Sequence, residues 1–365
     1  MLPEPQAIAA HFAVDGKLAA VEPFGAGHIN DSFLLTYRRN DKTDRFLLQR
    51  INEAVFPNPA LVMENIQRVT THIARKLTSQ GASNVGRRVL TLTPTHEAEP
   101  CYRDEAGSYW RLYRFIENTR VHEAVETPEQ AAQAGRMFGT FQLQLADLSG
   151  ARLHETIPDF HNTPLRFEAL DRAVQADPCN RVALARAEID LANRHRPLAG
   201  VLLDLQQRGD IPERVVHNDA KIGNVLFDAG TGEALCVVDL DTVMPGLSLY
   251  DFGDMVRSMT CTAAEDDTDL SRVEVQIPLF EALAGAYLEA AGKFLTAAER
   301  EHLVFAGKLI TLEQAVRFLT DFLNGDRYYK RRRPSQNLDR CQTQFKLVES
   351  LTRHEPQMNR FVERL

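Results

Sequence analysis

The sequence predicts a two-lobed α+β fold, with a β-rich N-terminal lobe and a mainly helical C-terminal lobe. Short β-branched and aromatic runs separated by turn-like segments fill the first 115 residues, whereas apolar residues recur at three- and four-residue steps after them. At 365 residues the chain is also too long for one ordinary core. We therefore expect a domain at 1–115 and a second at 116–365, joined near the segment RFIENT.

The individual elements follow from the same two periodicities. In the N-terminal part, strands are predicted at VEPF, SFLLTYR, DRFLLQRI, RRVLTLTP and SYWRLYRFI, and a helix at Pro59 to Gln80. Farther along, helices are predicted within 128–148, 180–208, 276–294 and 299–324. One compact β segment, 213–242, interrupts these helices.

Composition excludes several classes of protein. A formal net charge of −8 disfavours binding to nucleic acid or to an anionic membrane. The N-terminus has no signal-peptide pattern, and no run approaches the roughly 18 apolar residues of a membrane helix. The five cysteines are scattered and lack CxxC spacing, as expected of reduced thiols. We expect a cytoplasmic protein without nucleic-acid or membrane partners.

The most informative stretch runs from Val215 to Thr242. Two short strands flank the turn DAGTGE, so a hairpin should bring Asn224 and Asp239 side by side. Strand alternation would then place Asp239 and Asp241 on one face. With Asp219, three carboxylates and an amide would converge on one small volume. Like charges this close need a cation or substrate hydroxyls between them, and oxygen ligands suit Mg²⁺.

The spacing His217-x-Asp219-x₄-Asn224, followed by Asp239, resembles the motif of the aminoglycoside phosphotransferase and choline kinase superfamily, relatives of the protein kinases. The resemblance implies a protein-kinase-like fold. It also implies that Asp219 accepts the proton of the attacking hydroxyl, while Asn224 and Asp239 hold Mg²⁺ on the phosphates of ATP. His217 would brace the loop, and Asp251 in YDFGD would steady it.

A glycine-rich segment, GAGHINDSF, lies between the first two predicted strands. Glycine lets a backbone approach phosphate oxygens closely, although a glycine-rich hairpin turn is the plainer alternative. The segment resembles the family pattern GxGxxNxxF, which implies that Gly25, Gly27 and Asn30 meet the nucleotide.

The third strand departs from the family pattern. Its sequence FLLQRIN has Gln49 where such kinases usually carry a phosphate-binding Lys, with Arg50 beside it. Neighbouring strand residues face opposite ways, so either Gln49 or Arg50 meets the nucleotide. Arg50 could pair with Glu64, or it could simply cap the outer face of the sheet. Adenine is expected at the interlobe segment that ends at Glu117.

The residues within the motifs narrow the choice of acceptor substrate. HNDAKIGNVLFD, CVVDLDTVMPGLSLYDFGD and LLQRIN resemble N-acetylhexosamine 1-kinases, over nearly the whole chain. This implies transfer of the γ-phosphate to the anomeric hydroxyl of N-acetylglucosamine or N-acetylgalactosamine. Asp241 could accept hydrogen bonds from ring hydroxyls. A single Trp gives little sign of an aromatic cage for a quaternary ammonium. The acidic run at 263–269 could favour a polycation, or could simply face solvent.

Two further residues are candidates for sugar contact. Arg317 would reach the sugar and Tyr328 would close the far side of the pocket. Alternatively, Arg317 forms an exposed ladder with Glu313 and Asp321, each four residues away. Two other functions stay open: a kinase of another small alcohol, such as an aminoglycoside or amino alcohol, and a nucleotide-binding pseudokinase that has lost turnover.

Overall fold

Alternating apolar side chains build an antiparallel sheet near the N-terminus. The computed structural model describes residues 4–25 and 29–365. Strands β2 (Asp31–Arg39) and β3 (Lys42–Arg50) pair antiparallel, and the pairing of Leu35 with Phe46 puts buried residues opposite each other. They pack against Trp110 and the short N-terminal helix to form one core cluster.

Six strands make up this sheet, in the order β1-β2-β3-β6-β4 with β5 paired to β6. The remaining strands form a three-stranded sheet, β10-β9-β7, and a two-stranded one, β11-β8. The strand bounds besides β2 and β3 are β1 Lys17–Pro23, β4 Leu92–Thr93, β5 Tyr102–Arg103, β6 Tyr109–Arg114, β7 Thr119–Arg120, β8 Arg214–Val216, β9 Val225–Asp228, β10 Ala234–Val237 and β11 Met244–Gly246.

The chain divides into two compact units. The sheet unit comprises Met1–Arg120, Asp147–Pro158 and Leu226–Met244. The helical unit comprises Val121–Ala146, Asp159–Val225 and Pro245–Leu365. The α+β class, rich in antiparallel sheet near the N-terminus and helical toward the C-terminus, is confirmed.

Helices form where apolar residues follow the 3.6-residue period. The sheet unit contains α1 (Pro5–Ala9) and α2 (Pro59–Ser79). The helical unit contains α3 Pro128–Leu145, α4 Thr163–Ala176, α5 Arg186–His195, α6 Val201–Gln207, α7 Ser248–Met259, α8 Ile277–Ala291, α9 Ala297–Glu301, α10 Leu303–Leu323 and α11 Gln336–Glu363. One core cluster of this unit joins α4 and α5 to α10 and α11.

Two predicted strands are shorter than the sequence indicates. RRVLTLTP is a strand only at Leu92–Thr93, because a 3₁₀ turn at Val85–Arg87 precedes it. Strand β10 ends at Val237, and Asp239 adopts the left-handed conformation with φ 60°. The predicted hairpin of β9 and β10 is confirmed.

Two expectations from composition can be compared with the structure. In the part of the chain that the structure describes, no helix has both the length and the apolar character needed to cross a membrane. The five cysteines all lie in that part and are free thiols.

Close packing of α3 on α8 depends on a missing side chain. A Cβ on Gly135 would overlap the carbonyl oxygen of Leu283, whereas a Cβ on Gly285 would meet only the tip of Phe361, at 3.8 Å. We predict that Gly135→Ala lowers the free energy of unfolding by about 1–3 kcal/mol. The matched variant Gly285→Ala should be neutral or stabilising by up to about 1 kcal/mol. Denaturant titrations of both variants test this, and equal effects would contradict it.

Candidate active site

A buried carboxylate holds the loop that carries Asp219. Asp251, on α7, accepts hydrogen bonds from the backbone nitrogens of His217 at 2.9 Å and Asn218 at 2.7 Å. Gln142 on α3 donates a third, at 2.8 Å. Burial raises the pKa of Asp251, and these contacts oppose the shift only in part. Because Asn218 is left-handed, with φ 65°, the loop needs such external support.

His217 supports the loop from the side of α3. Its buried ring meets the edges of Phe138 and Phe141, with ring centres 5.5 and 5.9 Å away. Its Nδ1 accepts a hydrogen bond from the backbone nitrogen of Asp219, at 3.3 Å. These contacts match a bracing role for His217.

Asp219 is surrounded by donors. Its Oδ2 accepts hydrogen bonds from Lys221 Nζ at 2.7 Å and Asn224 Nδ2 at 2.9 Å. Burial alone would raise the pKa of Asp219, but Lys221, His217 and Asn224 outweigh it and lower the pKa to about 2. The carboxylate is therefore ionised near neutral pH. Lys221 was not among the predicted residues, although it stands inside the motif.

Asn224 uses its amide nitrogen on this loop. Nδ2 also donates to the backbone oxygen of Asp219, at 2.8 Å. Its side-chain oxygen is therefore the atom that could ligate a metal. An amide oxygen and the carboxylate of Asp239 are hard oxygen donors, which fit Mg²⁺. Within residues 4–25 and 29–365 no group of three or more His, Cys, Asp or Glu side chains is arranged to hold a metal.

The predicted shared strand face of Asp239 and Asp241 is wrong. The backbone turns at the left-handed Asp239 and continues into a 3₁₀ turn, Leu240–Thr242. Alternation of a strand therefore does not relate the two carboxylates. Both nevertheless contribute to the electrostatics of one buried arginine, Arg111 on β6.

Asp241 is bound inside the sheet unit. Arg111 makes a bidentate ion pair with it, including Nη2 to Oδ2 at 3.0 Å, and both side chains are 1–2% exposed. Asn30 Nδ2 donates to the same Oδ2 at 2.6 Å. Burial would lower the pKa of Arg111, but Asp241, Tyr113 and Asp239 raise it. In this structure the carboxylate predicted to order sugar hydroxyls is satisfied by Arg111 and Asn30.

The strand-three residues also have partners within the sheet unit. Gln49 donates to Ser32 Oγ at 2.9 Å and accepts from Arg111 Nε at 3.0 Å. Arg50 pairs with Asp31, so the pairing of Arg50 with Glu64 is wrong.

Glu117 binds Arg45 through both of its carboxylate oxygens. Gly25 is left-handed, with φ 77°. Gly27 lies outside the described residues. Contact of these residues with a nucleotide stays a prediction.

A buried network that sequence reasoning missed lies under the same loop. His161 places Nε2 at 3.2 Å from the backbone oxygen of Asn218 and Nδ1 at 2.9 Å from Glu313. Glu313 also accepts from Thr163, at 2.7 Å. His161 showed no ligand spacing in the sequence, because its partners lie 57 and 152 residues away.

The predicted exposed ladder around Arg317 is wrong. Glu313 is 1% exposed and binds His161, while Asp321 accepts three hydrogen bonds from the backbone of 327–329. The guanidinium of Arg317 instead lies 5.3 Å from the ring centre of Phe160 and 5.9 Å from that of Tyr328. The Tyr328 ring itself is exposed.

Arg257 interacts electrostatically with Asp219. Arg257 on α7 binds Asp254 at 2.8 Å and Glu265 at 3.0 Å, and Asp219 is among the groups that raise its pKa against burial. The charge of Arg257 in turn acts to lower the pKa of Arg317, although that pKa is raised overall. The catalytic loop and the predicted sugar-binding residue Arg317 are thus electrostatically connected within the helical unit.

Comparison with known proteins identifies the family. The profile of the phosphotransferase enzyme family (APH) matches residues 20–302. The chain belongs to this family. It is therefore a phosphotransferase, and the motif of Asp219, Asn224 and Asp239 lies within the matched region.

Solved structures share the fold at low identity. An aminoglycoside phosphotransferase from Alicyclobacillus acidocaldarius subsp. acidocaldarius is 16% identical, with a TM-score of 0.62 and coverage of 100% of this chain and 98% of that one. A microcompartment-associated aminopropanol kinase is 15% identical, with a TM-score of 0.58 and coverage of 97% and 98%. A choline kinase from Cryptosporidium parvum is 12% identical, with a TM-score of 0.55 and coverage of 93% and 90%. The kinase-like fold is thereby confirmed.

Removal of the Asp219 carboxylate should stop turnover. We predict that Asp219→Asn lowers kcat by about 10²–10⁴-fold, with little change in nucleotide affinity, since it would remove the group that we expect to accept the proton. Asp171→Asn is a matched control, because that carboxylate forms a surface ion pair with Arg196. Steady-state kinetics would contradict the assignment if Asp219→Asn kept more than about a tenth of the wild-type kcat.

Lys221 should determine how far into acid the enzyme works. Lys221 lowers the pKa of Asp219, so Lys221→Met should raise that pKa and protonate the carboxylate at higher pH. The ratio of kcat at about pH 5 to kcat at about pH 8 should therefore fall below the wild-type ratio. Lys221→Arg retains the charge and should keep the wild-type ratio. An unchanged ratio in Lys221→Met would show that Lys221 does not tune Asp219.

Proposed function

We propose that the protein is an ATP- and Mg²⁺-dependent kinase that phosphorylates the anomeric hydroxyl of an N-acetylhexosamine. Asp219 would accept the proton of that hydroxyl as its oxygen attacks the γ-phosphorus. Asn224 and Asp239 would hold Mg²⁺, which supplies positive charge to the phosphates and orients them. The anionic carboxylate of Asp219 supports this role, because it can accept a proton without prior ionisation.

A series of interacting arginines that begins beside Asp219, at Arg257, is the observation that we take to favour a neutral sugar. Arg257, Arg317 and Arg166 form a series in which each arginine perturbs the next. Burial and then Arg317 lower the pKa of Arg166, as expected of cations held close together. A cationic aminoglycoside, choline or amino alcohol would be repelled here, whereas hydroxyl and acetamido oxygens can accept hydrogen bonds from arginine.

The acidic residues of the run at 263–269 are themselves paired with arginines. Glu265 binds Arg257, Asp266 binds Arg333 and Asp267 binds Arg272. The run is therefore neither a simple solvated loop nor an unpaired acidic rim. Aromatic rings beside Arg317, from Phe160, Tyr328 and Tyr329, could pack on the apolar face of a sugar ring.

Several solved structures of the same fold contain a bound nucleotide, which supports the nucleotide part of the proposal. One spectinomycin phosphotransferase structure holds ADP together with spectinomycin, and another holds AMP. An aminoglycoside 2′-phosphotransferase-IIIa structure holds GDP.

Tyr113, on the same face of β6 as Arg111, has a buried hydroxyl without a hydrogen-bond partner among the described residues. A bound ligand could satisfy it.

Blocked sugars test which hydroxyl reacts. We predict that N-acetylglucosamine or N-acetylgalactosamine supports nucleotide consumption and yields a sugar 1-phosphate, identified by ³¹P NMR. The corresponding methyl glycoside should give no phosphorylated product, because its anomeric oxygen carries no proton.

Two outcomes would contradict the proposal. Phosphorylation of the methyl glycoside would place the reaction on another hydroxyl. Turnover of an aminoglycoside or amino alcohol, with none of any hexosamine, would show a kinase of another small alcohol.

A further inference from the structure

An arginine side chain lies next to Gln49, the strand-three residue that differs from the family pattern. Gln49 on β3 occupies the position expected to carry Lys, and Arg111 on β6 is its direct neighbour across the antiparallel pairing. Arg111 Nε donates to Gln49 Oε1 at 3.0 Å, so the neutral side chain acts as an acceptor for the arginine. Arg111 thus places a positive charge on β6, the strand next to β3.

Arg111 is not placed to touch a nucleotide itself. The residue is 1% exposed, and all three of its side-chain nitrogens have acceptors, in Gln49 and Asp241. Its guanidinium also lies 5.2 Å from the ring centre of Tyr113. Any effect on nucleotide binding must therefore pass through the groups that Arg111 contacts, of which Asp241 is the one that carries a charge.

Asp241 stands two residues after the proposed metal ligand Asp239, on a short turn held at three points. Arg111 and Asn30 bind the Asp241 carboxylate, and Asn65 on α2 donates to the backbone oxygen of Val243 at 3.0 Å. The left-handed backbone at Asp239 is uncommon for a non-glycine residue, and the surrounding contacts must maintain it.

We propose that Arg111 is a positioning residue, which clamps Asp241 and thereby orients Asp239 toward Mg²⁺. This inference rests on the proposed function, because it takes Asp239 as a metal ligand. Such a clamp would allow Mg²⁺-dependent turnover although strand three carries Gln49 and not a lysine. The α2 helix takes part through the amide of Asn65, whereas its neighbour Glu64 pairs with His154.

The geometry of the ion pair suits positioning. A planar guanidinium that binds both oxygens of a carboxylate fixes the orientation of that carboxylate, as a lysine ammonium does not. Groups that hold the segment behind a metal ligand typically contribute about 10–100-fold to metal affinity. Asn30, within the glycine-rich segment GAGHINDSF, binds one of the same carboxylate oxygens and is a second contact that holds the Asp239 turn.

The test measures how much Mg²⁺ strengthens ATP binding, by calorimetry with and without the metal. We expect Arg111→Met to lose about 10–100-fold of this Mg²⁺-dependent gain and to leave metal-free binding unchanged. Arg111→Lys should recover the gain in part. The double variant Arg111→Met/Asp241→Leu replaces the pair with apolar groups, which favours folding. It should recover thermal stability but not the Mg²⁺-dependent gain.

Arg214→Met is the matched control, because Arg214 forms a bidentate pair with buried Glu299 in the helical unit. It should lose thermal stability and keep the full Mg²⁺-dependent gain. A wild-type gain in the double variant would overturn the inference and leave the proposed function intact. Wild-type protein whose ATP binding does not respond to Mg²⁺ would overturn the proposed function and this inference with it.

Discussion

The hydrogen bonds that Asp251 accepts from the backbone of His217 and Asn218 are the interaction on which the catalytic loop depends. They hold a left-handed residue directly before Asp219, and the fully buried carboxylate has no solvent to replace them. Helices α3 and α7 supply the partners, so packing of the helical unit sets the loop geometry. Asp219 is then kept anionic by Lys221, against the effect of burial.

Buried charges in each unit are satisfied within that unit. Asp241 has Arg111 in the sheet unit, while Glu313 has His161 in the helical unit. Such pairs are costly to desolvate and are weak evidence for stability, but removal of one partner leaves a buried charge uncompensated. Their position next to proposed metal-binding and catalytic residues favours a role in orienting those residues. These buried ion pairs therefore connect the packing of each unit to the proposed functional residues.

Local patterns in the sequence predicted the elements and the motif well, because periodicity and turn residues act over short distances. The hairpin before Asp239 is an example. Contacts between distant residues were not predictable in the same way. Arg111 and Asp241 are 130 residues apart, and burial, which the sequence does not display, decides that they pair. His161 was missed for the same reason, because its partners are distant in the sequence. The ladder around Arg317 was predicted from the spacing of Glu313, although Glu313 is buried and binds His161.

We propose that the arginines that interact with Asp219 and with one another select a neutral hydroxylated acceptor. The most direct test compares kcat/KM for N-acetylglucosamine and glucosamine, which share a ring but differ in charge at neutral pH. We expect a strong preference for N-acetylglucosamine where the amine is protonated, and a smaller preference at higher pH where the amine becomes neutral. Equal use of both sugars at neutral pH, or a preference for the protonated amine, would contradict it.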